Sequence, residues 1–165
     1  MKQETYIKIS DGVRRFRYGE KIVQYGNRLI TGIIYFMFIT LLAVMAVRKD
    51  ERIVRVVLVT GISFVLVSIF RYLYNSPRPY TLYHFQPIVK KEKIGESMPS
   101  RHVFSGFVIA MAFLYMNPLV SIPVFICSGL MCIGRVIAGV HFPKDVIVGA
   151  MIGIISGLIG FFILV

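Results

Sequence analysis

Apolar residues in this chain gather into five runs, each close to the thickness of a bilayer's hydrocarbon core, and the polar residues collect between them. The runs cover residues 29–47, 53–74, 102–116, 119 to about 136, and 145–165. About 20 helical residues cross a core of ~30 Å. The first run stops at the charged stretch Arg48, Lys49, Asp50, Glu51, Arg52, and the second carries Arg71 in its last turn. The third is short and is closed by Asn117 and Pro118. Backbone polar groups cannot go unpaired in lipid, so the pattern predicts an all-α fold, a polytopic transmembrane bundle of about five spanning helices. The polar segments 75–101 and 137–144 are separated by two crossings, which puts both at one rim of the bundle.

Residues 1–28 form a basic N-terminal segment ahead of the membrane domain at 29–165. Ile9, Val13, Phe16 and Val23 recur at roughly helical spacing among Arg14, Arg15, Arg17 and Lys21. A helix lying on the membrane surface fits this pattern, and so does a solvated basic tail. The segment does not read as a signal peptide, because the run that follows is too long and lacks a small-residue cleavage site. In the last run Gly149, Gly153 and Gly157 are spaced four apart, with Gly160 near the same face. Such a face packs tightly against a neighbouring helix, either inside the bundle or from a second copy of the chain, so a homodimer is a candidate assembly.

Composition narrows the partners. The chain has 165 residues, room for one domain, and is 56% hydrophobic with mean hydropathy +0.73 and formal net charge +11. Basic residues alternating with membrane-length apolar runs argue against nucleic acid and for the bilayer itself, anionic headgroups and phosphate. Cys127 and Cys132 lie five apart within one apolar run, point in different directions on a helix, and read as small buried hydrophobes.

The chemistry sits at the rim. Three clusters stand out: Arg71 with Arg78-Pro79; Pro99-Ser100-Arg101-His102; and Arg135 with His141 and Asp145. Charge near hydrocarbon is costly, so these are functional candidates. Arg71, Arg78 and Arg135 can together neutralise a phosphoryl group, because a guanidinium is a permanently charged fork that matches phosphate oxygens. A carboxylate four residues after His141 can hold one ring nitrogen and leave the other free to attack, so His141 with Asp145 has the logic of an oriented nucleophile. His102 is the candidate general acid. Ser100 and the amides that open the third run can bind phosphate oxygens. Lys90, Lys91, Lys93 and Lys144 read as solvated charge. His84, between Tyr83 and Phe85, reads as structural.

In order and in spacing, the three clusters resemble the signature of the type 2 phosphatidic acid phosphatase superfamily, whose pattern is K-x6-RP, then PSGH, then SR-x5-H-x3-D. The match covers residues 71–145. The resemblance implies a membrane lipid phosphatase acting on phosphatidylglycerol phosphate, phosphatidic acid or undecaprenyl diphosphate. It implies a phosphohistidine at His141, orientation by Asp145, leaving-group protonation by His102, phosphate contacts from Arg78, Arg135 and Ser100, and no metal or other cofactor. Three residues depart from the pattern: Arg71 stands for lysine, Arg101 for glycine and Gly134 for serine. Arg101 either adds a phosphate contact or faces headgroups. The membrane members resemble six-helix bundles, one crossing more than is predicted here. They hold the site on the extracytoplasmic face, and that placement is expected here although seven Lys and Arg lie in residues 1–28 against four at Arg48, Lys49, Arg52 and Arg55. A phosphotransferase using the same site and a non-catalytic lipid-binding protein are the alternatives. The related haloperoxidases are soluble.

Overall fold

A computed structural model describes residues 1–89 and 93–164. Every regular element among them is helical. In chain order these are α1 (Gln3–Arg15), α2 (Gly19–Val47), α3 (Arg52–Tyr74), the short α4 (Pro79–Leu82), α5 (Arg101–Met116), α6 (Pro118–Ile137) and α7 (Pro143–Leu158), which continues through a wider turn at Ile159–Ile163. Lys90 and Lys91, and Val165 at the end of the last predicted run, lie outside the described residues.

Four helical stretches are long and apolar enough to cross a membrane; the fifth crossing, α5, has 16 residues. At 1.5 Å per residue it is about 24 Å long, short of a full core. Its position explains this. α5 packs against α2, α3, α6 and α7, and between Val103 and Phe113 every residue except Phe107 is buried. A helix enclosed by protein need not match the lipid thickness itself. Val103, Ile109, Ala110 and Phe113 of α5 meet Ile34 of α2, Val124 and Met131 of α6, and Val146 of α7 in the main core. The outer faces of the surrounding helices expose Phe36, Leu66, Ile133 and Ile147, as a lipid-facing surface does.

The glycines of α7 are what bring it onto α5. A Cβ on Gly149 would stand 2.8 Å from the Ser100 carbonyl oxygen, and one on Gly153 would stand 2.7 Å from that of Phe104. Gly157 meets Met111. This face is therefore used inside the chain.

The sequence pattern predicts that the first crossing starts at residue 29, but α2 begins at Gly19 and runs for 29 residues. At about 44 Å it outruns the hydrocarbon core. Its polar first turns are held by protein: Gln24 Nε2 donates to the Ile88 carbonyl (2.8 Å) and Asn27 Nδ2 to the Gly134 carbonyl (3.1 Å). The N-terminal segment contains a helix, α1, rather than a loose tail. α1 lies over the loops at the site end, with Gln3 Nε2 donating to the Tyr83 carbonyl (3.0 Å) and Arg14 Nη2 to that of Gln86 (3.0 Å). At the other end, Arg52 lies 5.9 Å over the Tyr115 ring, which stacks on Phe161 at 5.4 Å.

Candidate active site

The loop between α6 and α7 presents His141, and the start of α7 presents Asp145. Pro143 occupies the first helical position, where its missing N–H is no loss. Asp145 Oδ2 accepts from the Phe142 amide (2.9 Å), satisfying one of the exposed donors of that helix start. The same oxygen accepts from Ser97 Oγ at 2.5 Å. His141 Nδ1 lies 3.4 Å from Ser97 Oγ and 3.7 Å from Asp145 Oδ2. The expected direct contact of His141 with Asp145 is thus routed through a serine hydroxyl. With Nδ1–H directed to Ser97 and the Ser97 proton directed to Asp145, Nε2 keeps its lone pair; this tautomer is the assignment that satisfies all three groups.

His141 is 2% exposed. Burial, aided by the nearby Arg78 and Arg71, pushes its pKa down to about 4, against the opposing pull of Asp145. The imidazole is therefore neutral near pH 7. Tyr6 of α1, also buried, donates from its hydroxyl to the His141 carbonyl (3.1 Å), and its ring lies 5.9 Å from that of Phe142. Burial, and after it the charge of Asp145, raise the Tyr6 pKa, so the phenol remains a donor.

Arg71, Arg78 and Arg135 are 4%, 3% and 6% exposed, and Asp145 is the buried carboxylate among the described residues. Arg78 leaves the loop after α3 and bonds the carbonyls of Gly95 (Nε, 3.0 Å), Glu96 (Nη2, 3.4 Å) and Val140 (Nη1, 3.2 Å), which places it against the His141 loop. Arg71, on the last turns of α3, donates to the carbonyls of Glu96, Ser97 and Pro99. The Glu96 carbonyl is thus common to both. Arg135, near the end of α6, donates from Nη2 to Thr31 Oγ1 of α2 (3.2 Å). Arg71 Nε, Arg135 Nε and the Ser100 hydroxyl are buried donors with no acceptor among the described residues. Ser100 also ties α5 to α7, its amide donating to the Asp145 carbonyl at 2.8 Å.

His102 and Arg135 line a cleft of about 780 Å³ whose remaining wall comes from α2 (Glu20, Lys21, Gln24, Asn27, Arg28 and neighbours) and Val89. Arg101 is exposed and stacks 5.5 Å over the Phe64 ring, so it is not drawn in with the buried guanidinium groups. His84 is exposed in a left-handed turn (φ 50°). Lys144 is exposed beside the Phe142 ring, and Lys93 pairs with Glu96 at 2.6 Å. That pairing holds the Glu96 carboxyl below the usual range. Among the described residues no three His, Cys, Asp or Glu side chains come together to hold a metal ion.

Three contributors escaped the sequence reading: Ser97, Tyr6 and Asn27. Ser97 lies in an irregular loop with no periodicity to mark it, and Tyr6 acts from a helix far away in sequence. Asn27 did leave a trace, the unexplained Gly134. A Cβ on Gly134 would stand 2.8 Å from Asn27 Oδ1, so the glycine makes room for the amide that docks α2 beside Arg135.

The sequence profile of the PAP2 superfamily matches residues 52–164. Undecaprenyl-diphosphatase BcrC of Bacillus subtilis (strain 168) is 27% identical over 104 residues, 62% of this chain and 53% of that protein, so the chain spans about half the length of this curated relative. The crystal structure of Aquifex aeolicus LpxE superposes with a TM-score of 0.74 at 28% identity, covering 95% of this chain and 92% of that one. A transmembrane PAP2-type phosphatidylglycerolphosphate phosphatase from Bacillus subtilis superposes at 0.72 with 24% identity, covering 96% and 83%, a likeness of fold.

Proposed function

The chain belongs to the PAP2 superfamily, and from that premise we propose that it is an integral-membrane lipid phosphatase, removing the terminal phosphoryl group of a lipid phosphomonoester or diphosphate without a metal ion. Phosphatidylglycerol phosphate, phosphatidic acid and undecaprenyl diphosphate are the substrates to compare. The first and last are named by relatives of similar fold or sequence.

One observation carries the reading: three guanidinium groups are buried, Arg71 and Arg78 against the 95–99 loop and Arg135 at the end of α6, and among the described residues Asp145 is the single buried carboxylate. Uncompensated buried charge is strongly unfavourable, and a phosphoryl dianion is the ligand that would balance it. Donors now spent on the 95–99 and Val140 carbonyls can pass to phosphate oxygens, because bonds between two charged groups are about twice as strong as neutral ones. His141 Nε2 then attacks phosphorus while the bond from phosphorus to the lipid oxygen breaks. His102 gives its proton to that oxygen. Water attacks the phosphohistidine, His102 takes a proton back, the P–N bond breaks and phosphate leaves. Asp145 and Ser97 keep the ring oriented through both steps. The site opens on the extracytoplasmic face in this reading.

Phosphate release from those three lipids in detergent, with chelator present, tests the proposal. Release by the unaltered protein and none by His141→Ala, folded by size-exclusion chromatography, is expected. Full release by His141→Ala, or release abolished by chelator, would overturn it.

A further inference from the structure

The cleft at His102 and Arg135 has a second basic wall. Lys21, Gln24 and Arg28 stand at i, i+3 and i+7 on α2, one face of the helix, and all line the cleft. Gln24 is engaged with the Ile88 carbonyl. Lys21 and Arg28 have no ion-pair partner among the described residues. The one acidic residue in the lining, Glu20, is held by Arg14 Nε at 2.8 Å. Two cations are thus left facing a space that already contains Arg135. Neither belongs to the three motifs, and both precede the 52–164 family match.

What lies beyond them gives the order of the ligand. An almost wholly apolar, exposed face of α2 continues past Leu29, Gly32, Ile33 and Phe36. Tyr25 and Arg28 belong to both the cleft and this face. An apolar surface on a spanning helix is ordinary by itself. Its continuity with a cationic cleft through shared residues is not. His102, Arg135, Lys21 and Arg28 thus share one cleft, and the apolar face of α2 begins at its edge, at Tyr25 and Arg28.

We infer that Lys21 and Arg28 form a second anion subsite, which holds a non-scissile phosphoryl group of the substrate between the phosphate at His102 and Arg135 and a hydrocarbon chain lying along α2. The inference rests on the phosphatase reading and deepens it. The favoured substrate class carries two phosphoryl groups in its headgroup, the outer one cleaved and the inner one bound by these cations. Arg28, shared by the cleft and the apolar face of α2, marks the junction of headgroup and tail. A guanidinium fork and an ammonium both bind phosphate well, so charge rather than fork geometry is what this subsite demands.

The test compares kcat/KM for a polyprenyl diphosphate and for phosphatidic acid in mixed detergent micelles, in the unaltered protein and in Lys21→Gln/Arg28→Gln. Both side chains are exposed, so the double variant is expected to fold. The expected result is that diphosphate hydrolysis falls at least tenfold more than phosphatidic acid hydrolysis, through KM. The charge-keeping Lys21→Arg/Arg28→Lys retains the original ratio. An unchanged ratio in Lys21→Gln/Arg28→Gln, or an equal change in the charge-keeping variant, overturns the subsite and leaves the phosphatase reading standing. Hydrolysis of neither lipid by the unaltered protein overturns the subsite, and the same result with phosphatidylglycerol phosphate overturns the phosphatase reading as well.

Discussion

Ser97→Ala removes the hydroxyl that joins His141 to Asp145. The hydroxyl is wholly buried, donates to Asp145 Oδ2 at 2.5 Å and stands 3.4 Å from His141 Nδ1. Its loss leaves the two side chains 3.7 Å apart, beyond hydrogen-bonding distance. Asp145 would keep only the Phe142 amide (2.9 Å), because Oδ1 already lacks a partner among the described residues. A hydrogen bond to a charged group contributes about 1.5–3 kcal/mol. If that is lost mainly where His141 takes on the phosphoryl group, kcat falls about 10–100-fold, at ~1.4 kcal/mol per factor of ten. KM should hold, since Ser97 does not line the cleft. Initial rates of phosphate release over a range of lipid mole fractions in micelles separate the two constants. Ser97→Thr, which restores the hydroxyl, should recover most of the rate. A Ser97→Ala enzyme with full kcat, or with a raised KM and unchanged kcat, would refute the bridging role.

The depressed pKa of His141 makes stability depend on pH. Its folded value of about 4 lies below the ordinary ~6.5, so between those values the unfolded chain binds a proton that the folded one refuses. Stability from this group is complete above pH ~6.5 and is lost as pH falls toward 4, by about 3 kcal/mol in all. Thermal unfolding across pH 4–7 measures it, and any acid limb of kcat/KM near ~6 belongs to the second ionisation of the substrate phosphate; stability that does not fall between pH ~6.5 and ~4 would contradict the buried, neutral histidine. Gly153→Ala should lower the unfolding temperature, at a cost of about 1–3 kcal/mol, because its Cβ meets the Phe104 carbonyl, whereas Gly129→Ala meets nothing within 4 Å and should be near neutral. Gly134→Ser should destabilise through its clash with Asn27, and adding Asn27→Ala should restore the unfolding temperature; no recovery would count against the pairing of these two positions.

The architecture was legible because lipid enforces a simple code. Twenty-residue apolar runs, broken by charge at residues 48–52 and by Asn117-Pro118, have no stable alternative to crossing helices. The end of α6 was readable from its motif, since Arg135 and His141 are fixed by spacing. The start of α2 was not. Gly19 to Arg28 is polar on the surface that meets other protein, and Gln24 and Asn27 find carbonyl partners only once the 85–89 segment and α6 are in place. At the site, charged and aromatic residue types announced themselves, while a hydroxyl such as Ser97 gains meaning from two neighbours that arrive from residues 141 and 145. Arg101 shows the reverse case, a residue inside a motif whose side chain turns outward onto Phe64.

Rapid alkaline quench of the protein with ³²P-labelled lipid phosphate tests the central claim most directly, since it asks whether phosphorus becomes bound to His141. Label that is stable to alkali, released by acid, mapped to the peptide containing His141 and absent from His141→Ala is the predicted result. Phosphate release at full rate with no such label, or label unchanged in His141→Ala, would contradict it.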